Sequence, residues 1–304
     1  MTADLLAIHP EVKKALAAGR AVVALESTII AHGLPHPQNL EVARDLEAIV
    51  RAEGAVPATV ALVGGRIRIG LDDAQLGALA TAEDVAKVSR RDMAVVLAGG
   101  GIGATTVAGT MIAASLAGIP VFATGGIGGV HRGAETSLDI SADLDELARA
   151  PVLVVTAGAK AILDLPKTLE VLETRGVPVV GFATDTFPAF WCRSSGLALA
   201  LRMDSAEAVA QAFALHRRLG LSSGFVVANP IPEADALDRA LVDGAIARAL
   251  ADAEAERVTG KDVTPYLLKR MLAGTGGASL RANIALVRNN ARLAARIALA
   301  LTRL

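Results

Sequence analysis

The chain has 304 residues, 53% of them hydrophobic and 20% charged, with a formal net charge of −1. A sizeable core can form, and disorder is excluded as the default. With no basic or acidic block the charge argues against a nucleic-acid binder, which would need a basic face, and the lone Cys192 leaves no internal disulfide framework, as suits a reducing compartment.

In chain order, MTADLLAIHPEVKKAL lacks the basic-then-apolar order of a signal peptide and reads as a short lead-in helix. Apolar strand-like runs follow at AVVALES (21–27), ATVALVGGRIRIGL (58–71), MAVVLAGGG (93–101), IPVFATGG (119–126), PVLVVTAG (151–158), GVPVVGFAT (176–184) and GFVVANPIP (224–232). Helical patterns separate them at 37–53, 73–85, 104–117, 141–149, 163–175, 206–219 and 233–257. A last helix over 280–304 carries several arginines and packs on the sheet or on a neighbouring subunit. Alternation of strands and helices predicts an α/β fold with a largely parallel sheet. Gly64-Gly65 between two short strand patterns marks a tight hairpin, so the sheet is expected to be mixed. No linker or repeat divides the chain, and one domain over residues 1–304 is expected.

The charge-free stretch 93–130 is long enough to span a bilayer. Glycines and Pro120 punctuate it throughout, which fits strand, helix and strand in a buried parallel sheet rather than a membrane helix. The loop GGGIGATT (99–106) follows the 93–101 run and is expected to open a helix. It matches a dinucleotide-binding pattern, but the acid that should hold the ribose about 20 residues on is missing from GIPVFATGG. A generic anion site at that helix start, or close helix–strand packing, remains.

In open α/β sheets function collects at the carboxyl ends of strands. Glu26, Thr124, Lys160, Asp185 and Asn229 all follow apolar runs. A lysine desolvated there can attack a carbonyl and form a Schiff base; the alternative is a lysine that snorkels to solvent. Glu26 is either an acid/base group or the partner of a structural hydrogen bond. In TSLDISADLDELARA (136–150), Ser141 reads as an N-cap with acids in the first turn, and Asp139 with Asp143 can also serve a hard metal ion. His32 and His36 have zinc-ligand spacing, but Pro35 and Pro37 oppose a helix across them. Lys87, in AEDVAKVSRRD, reads as part of a solvated charged face before a buried strand. Phe182, Phe187, Phe190 and Trp191 gather in GFATDTFPAFWCRSSG, either to cover a planar ligand or as a core edge. Cys192 has no evident base partner.

ALESTIIAHGLPHPQN, KVSRRD, GATTVAGTM, ATGGIGGVHRGAETSLDISADL, TAGAKAILDLPKTLE, GFATDTFPAFWCRSSG and NIALVRNNA together resemble the pseudouridine-5′-phosphate glycosidase family, which includes indigoidine-locus homologues. The resemblance runs from about Val22 to Ala291. It implies a three-layer α/β/α domain and reversible cleavage of the C–C glycosidic bond of pseudouridine 5′-phosphate to uracil and ribose 5-phosphate. It implies a nucleophilic Lys160, an acid/base Glu26 and a metal-binding Asp139. Substrate contacts fall on Lys87, Val107, Ser141, Ala142, Asp143 and Asn283. It further implies one Mn²⁺ per subunit, a homotrimer, a small-molecule nucleotide substrate, a role in pseudouridine catabolism, and a cytoplasmic enzyme with no membrane or nucleic-acid polymer as partner. Two rivals keep part of this reading: an aldolase-type Schiff-base lyase on another sugar phosphate, and a nucleotide-binding regulatory protein built on GGGIGATT.

Overall fold

The computed structural model describes residues 4–258 and 263–304. Its strands are β1 (Leu6–Ile8), β2 (Val22–Leu25), β3 (Val56–Val63), β4 (Arg66–Ile69), β5 (Val85–Val88), β6 (Ile102–Thr105), β7 (Val121–Ala123), β8 (Leu153–Thr156), β9 (Val179–Phe182), β10 (Leu201–Met203) and β11 (Phe225–Ala228). The helices begin with α1 (Pro10–Ala17), α2 (Gln38–Ala52), α3 (Asp73–Thr81), α4 (Arg90–Gly99), α5 (Val107–Ala117) and α6 (Ala134–Ser137). They continue with α7 (Ala142–Leu147), α8 (Leu165–Thr174), α9 (Ala206–Arg218), α10 (Arg239–Ala255), α11 (Val263–Gly274) and α12 (Ala278–Leu301).

The strands form a mixed, largely parallel sheet. β2, β7, β8, β11, β9 and β10 lie side by side in that order, all parallel. Their residues read as unbroken apolar runs because helices cover both faces; every residue of β2, β7, β8 and β11 is buried. The eight-residue β3 belongs to two arrangements. Val56–Thr59 pair in parallel with β2, and Val60–Val63 pair antiparallel with β4. β6 takes the other edge of that second half, and β5 lies parallel to β6. The β3–β4 hairpin turns through Gly64 and Gly65, at φ +60° and +72°, the left-handed pair a two-residue loop requires.

One helical layer is α12 with α2 and α9 beside it, against β2, β7 and β8. The other is α5 with α7, against β2, β3 and β7, and α8 next to α7. The C-terminal helix thus packs on the sheet of its own chain. Buried Asn290 ties it to the strand ends: its Nδ2 donates to the Thr124 carbonyl at 2.8 Å, and its Oδ1 accepts from Asn229 Nδ2 at 3.0 Å. Among the described residues no helix is long and apolar enough to cross a membrane.

Three expectations are corrected. MAVVLAGGG (93–101) is not a strand but most of α4. Ser89 and Asp92 cap its start, with Ser89 N donating to Asp92 Oδ2 at 3.1 Å, and Gly100 ends it at φ +66°. Its apolar Val95 stands 73% exposed, so hydrophobicity there did not mean burial in a sheet. GGGIGATT therefore follows a helix and runs into β6, and α5 begins only at Val107 behind the N-cap Thr106. The strand–loop–helix context of a dinucleotide or anion loop is absent at that motif. The 73–85 helix stops at Thr81, which frees Val85–Val88 to form β5. In addition, the lead-in segment is strand β1 followed by α1, and 233–257 is a short 3₁₀ turn (Glu233–Asp235) followed by α10.

Replacing Asn290 by Leu keeps the volume and strands two buried polar partners. The variant is expected to lose about 1–3 kcal/mol of stability, read as a lower urea midpoint at unchanged slope.

Candidate active site

Because β2, β7 and β8 are parallel neighbours, their carboxyl ends open at one place. Glu26 follows β2, Thr124 follows β7, and Lys160 follows β8 after a short loop. That loop stays in register with the one after β7. Ile127 N donates to the Gly158 carbonyl at 3.1 Å, and Lys160 N donates to the Ile127 carbonyl at 3.1 Å. Lys160 is therefore fixed by backbone pairing beyond the strand, where a free loop would let it wander. The hydroxyls of Thr28 and Thr124 donate to the two carboxylate oxygens of Glu26, one each. The carboxylate is held in place from both sides.

The loop Gly125–Gly129 lies between these groups, and its glycines serve close approach. A Cβ on Gly126 would stand 2.6 Å from the Phe190 ring, and one on Gly129 2.8 Å from Thr168 Cγ2. A Cβ on Gly128 would stand 2.6 Å from Ser141 Cβ and 2.7 Å from Asp143 Oδ2. Asp143 is why Gly128 must come so near. Its Oδ2 accepts from Gly128 N at 2.8 Å, and its Oδ1 accepts from Ala108 N at 2.9 Å. A buried carboxylate is tolerable when two N–H groups satisfy it, here one in the first turn of α5 and one in the glycine loop, and Asp143 itself stands in the first turn of α7, where the helix dipole favours an anion. Ser141 caps α7 as expected, accepting from Asp143 N at 3.2 Å.

Two adjoining cavities, of about 430 and about 80 Å³, share Glu26, Thr28, Lys87, Lys160 and Thr264 as walls. Of the residues expected to form the site, Glu26, Lys87, Val107, Asp139, Ser141, Ala142, Asp143 and Lys160 line the larger one. Asn283 lines the smaller, with Phe190, Leu268 and Leu286. All nine therefore meet around one opening. Lys87 corrects the solvated-face reading: it sits on β5 and faces both cavities. The Val107 side chain is buried, so what it offers is the backbone of the first turn of α5. Asp143 braces the backbone as well as lining the wall.

Reasoning from the sequence missed Arg90, Arg91 and Thr106 in the larger cavity, left His131 open between a loop ligand and mere surface, and left His32 without a role; His131 lines the larger cavity. Arg90 is aimed by Glu146, which is buried and receives two N–H donors, at 2.7 and 2.9 Å. The capping-box spacing of Ser89 and Asp92 was the available signal, since it places Arg90 and Arg91 at a helix start. Burial lowers the pKa of His131, aided by Lys160 and Lys87 and opposed by Asp139, whose Oδ2 is 3.8 Å from His131 Nδ1. Burial and nearby Lys87 likewise lower His32, against a hydrogen bond from its ring to the Ala86 backbone. Both imidazoles are neutral at pH 7. Burial raises the Cys192 thiol, which leaves it a poor nucleophile. Among the described residues no three His, Cys, Asp or Glu side chains cluster as a metal cage. The donor set at Asp139, one partly exposed carboxylate in a polar cavity, suits a hard cation that keeps its waters, and not zinc.

Residues 11–300 match the family model described as indigoidine synthase A like protein. The chain belongs to that family. It is 63% identical over 299 residues to the pseudouridine-5′-phosphate glycosidase of Paracoccus denitrificans, covering 98% of each chain. It is 62% identical to the protein of the same name from Methylobacterium nodulans, covering 99% of this chain and 89% of that one. The structure is similar to that of the prealnumycin C-glycosynthase AlnA in complex with ribulose 5-phosphate, with a TM-score of 0.92 at 43% identity, covering 98% and 97% of the two chains. It is similar also to the indigoidine synthase A-like protein of Thermotoga maritima, with a TM-score of 0.87 at 36% identity over 94% of each chain.

Gly128→Ala drives a methyl into Ser141 and Asp143. It is expected to break the Asp143 bridge and cost about 1–3 kcal/mol, measured by urea unfolding. The depressed pKa of His32 has a definite sign: the unfolded chain takes up the proton first, near pH 6.5, so this contribution to stability is present above pH 6.5 and is lost as pH falls below it. His32→Gln is expected to lose less stability than the parent between pH 7.5 and pH 5.5, compared by thermal unfolding.

Proposed function

We propose that the protein is a pseudouridine-5′-phosphate glycosidase, which splits the C–C glycosidic bond reversibly to uracil and ribose 5-phosphate through a lysine Schiff base. The observation that carries this is the meeting of Glu26, Lys87 and Lys160 on one cavity at the carboxyl ends of adjacent strands. Full-length relatives of that name support it. So does the resemblance to a C-glycosynthase whose structure holds a pentulose phosphate.

A base bonded through carbon is a poor leaving group. In the proposed sequence the ribose C1′–O4′ bond opens and O4′ takes a proton, leaving C1′ electrophilic. The Lys160 amine bonds to C1′. Protonation at uracil C5 then lets the C1′–C5 bond break, while the nitrogen lone pair forms the C1′=N bond of an iminium. Water hydrolyses the iminium to ribose 5-phosphate and returns the amine. Glu26, oriented by Thr28 and Thr124, moves the protons at O4′ and C5. Lys87, Arg90 and the first turn of α5 lie where a phosphate dianion would be welcome. Asp139 would hold the Mn²⁺, one per subunit, which supplies charge compensation when bound; Ser141, Ala142 and Asp143 shape the wall beside it. A homotrimer, a cytoplasmic location and a place in pseudouridine breakdown complete the proposal.

An aldolase-type lyase on another sugar phosphate would use the same lysine. The apolar smaller cavity, walled by Phe190, Leu268 and Leu286, suits a planar second reactant and favours the C-glycosidase.

Borohydride reduction of the protein with ribose 5-phosphate is expected to fix a pentose phosphate on Lys160, located by peptide mass spectrometry. Lys160→Ala is expected to lose the adduct and at least about 10³-fold in kcat. Glu26→Gln is expected to keep the adduct and lose about 10²–10⁴-fold in turnover. Full turnover in Lys160→Ala would end the proposal.

A further inference from the structure

The smaller cavity contains an amide whose orientation is dictated from behind. Ala189 and Cys192 close a tight turn, with Ala189 N donating to the Cys192 carbonyl at 3.0 Å and Cys192 N to the Ala189 carbonyl at 3.2 Å. Phe190, at its corner, is in the left-handed region at φ +60°, uncommon for an aromatic residue, and is anchored by a 3.0 Å bond from its N–H to the Ala157 carbonyl. The turn throws two rings in different directions. Phe190 goes against Gly126 and the cavity, and Trp191 goes behind it, edge to face at 5.1 Å. Trp191 is 1% exposed, and its Nε1 donates to Asn283 Oδ1 at 2.6 Å.

An indole nitrogen can only donate. The Asn283 atom facing it must therefore be the carbonyl oxygen, although oxygen and nitrogen of an amide have nearly the same shape. Rotating the amide would set N–H against N–H. Among the described residues the Asn283 side chain makes no other hydrogen bond, so its NH₂ group is left for whatever enters the cavity. We infer that Trp191 is a positioning residue for base recognition: it locks Asn283 as a pure donor, so that the apolar cavity accepts a planar heterocycle presenting a ring carbonyl and rejects one presenting an amine there. A site whose polar group is fixed in one sense discriminates strongly, because the wrong partner leaves two donors facing each other. The inference rests on the proposed C-glycosidase reading and adds to it the residue that sets the base preference.

The chain has one tryptophan, so ¹⁵N-indole labelling gives a single side-chain resonance that reports this bond directly. Asn283→Ala is expected to shift that resonance upfield and speed its exchange with water; Asn283→Asp is expected to keep the bond and remove the donor. In C-glycoside synthesis from uracil and ribose 5-phosphate, Trp191→Phe is expected to raise the uracil KM about ten-fold, with kcat and the ribose 5-phosphate KM within about two-fold. Asn283→Asp is expected to raise the uracil KM further still. The double variant Trp191→Phe/Asn283→Ala is expected to be no worse than Asn283→Ala alone, because Trp191 acts only through Asn283. An unchanged uracil KM in folded Trp191→Phe, or multiplying effects in the double variant, would overturn the inference. If the parent enzyme forms no C-glycoside, the reaction itself was misassigned, and titration of the labelled protein decides the present point. Uracil moving the indole resonance while 2,4-diaminopyrimidine does not would support it; equal binding of the two would refute it.

Discussion

The carboxylate of Asp143 joins two backbone amides that would otherwise belong to separate parts of the molecule. Gly128, in the loop after β7, donates to one oxygen, and Ala108, in the first turn of α5, donates to the other. Much of the cavity follows from that bridge. It pulls the glycine loop against Ser141, which leaves no room for a Cβ at Gly128. The loop in turn carries Ile127, whose backbone pairs with Gly158 and Lys160 and so fixes the lysine. The same pull sets Gly126 under the Phe190 ring and Gly129 against Thr168. The carboxylate is buried, but one N–H at the start of α5 and one from the glycine loop satisfy it, so its position is fixed and needs no counter-ion.

The sheet adds the second constraint. Three parallel strands, β2, β7 and β8, deliver Glu26, Thr124 and Lys160 to the same end. The divided strand β3 brings β5 and β6 around to the same opening, which is how Lys87, far from Lys160 in sequence, comes to share its cavity. Arg90 and Arg91 wall only the larger cavity, together with Asp92, Asp139 and Asp143; Phe190, Leu268 and Leu286 wall only the smaller; Glu26, Lys87 and Lys160 border both. In the proposed reaction the sugar phosphate would take the larger cavity and the flat base the smaller.

Much of this was legible in the sequence where physics leaves one solution. VVAL, LVVT and FVVA are short runs rich in β-branched residues, the pattern of strands buried on both faces, and polar residues just past them then lie at strand ends. The hairpin at Gly64-Gly65 was readable for the same reason. The stretch from Val85 to Thr106 was not, because apolar character alone does not separate a short helix from a buried strand. MAVVLAGGG satisfied the strand pattern, while its helical signals, Ser89 with Asp92 and then Gly100, lay at its margins. Misplacing α4 hid β5, and with it the inward course of Lys87. The assignment of Glu26, Lys160 and Asn283 to roles came from the likeness of long motifs to a family. The dependence of Asn283 on Trp191 involves residues 92 positions apart, and only the folded chain brings it into view.

The proposed activity is the making and breaking, in this cavity, of a carbon–carbon bond between a ribose phosphate and uracil. The most direct measurement is to incubate the metal-loaded protein with uracil and ribose 5-phosphate and to examine the products by mass spectrometry before and after hot acid. The expected product is a uridine monophosphate isomer that survives the acid, because a C-glycoside has no acid-labile C–N bond. Failure of fully folded, metal-loaded protein to form any such isomer, or formation of an acid-labile one, would contradict it.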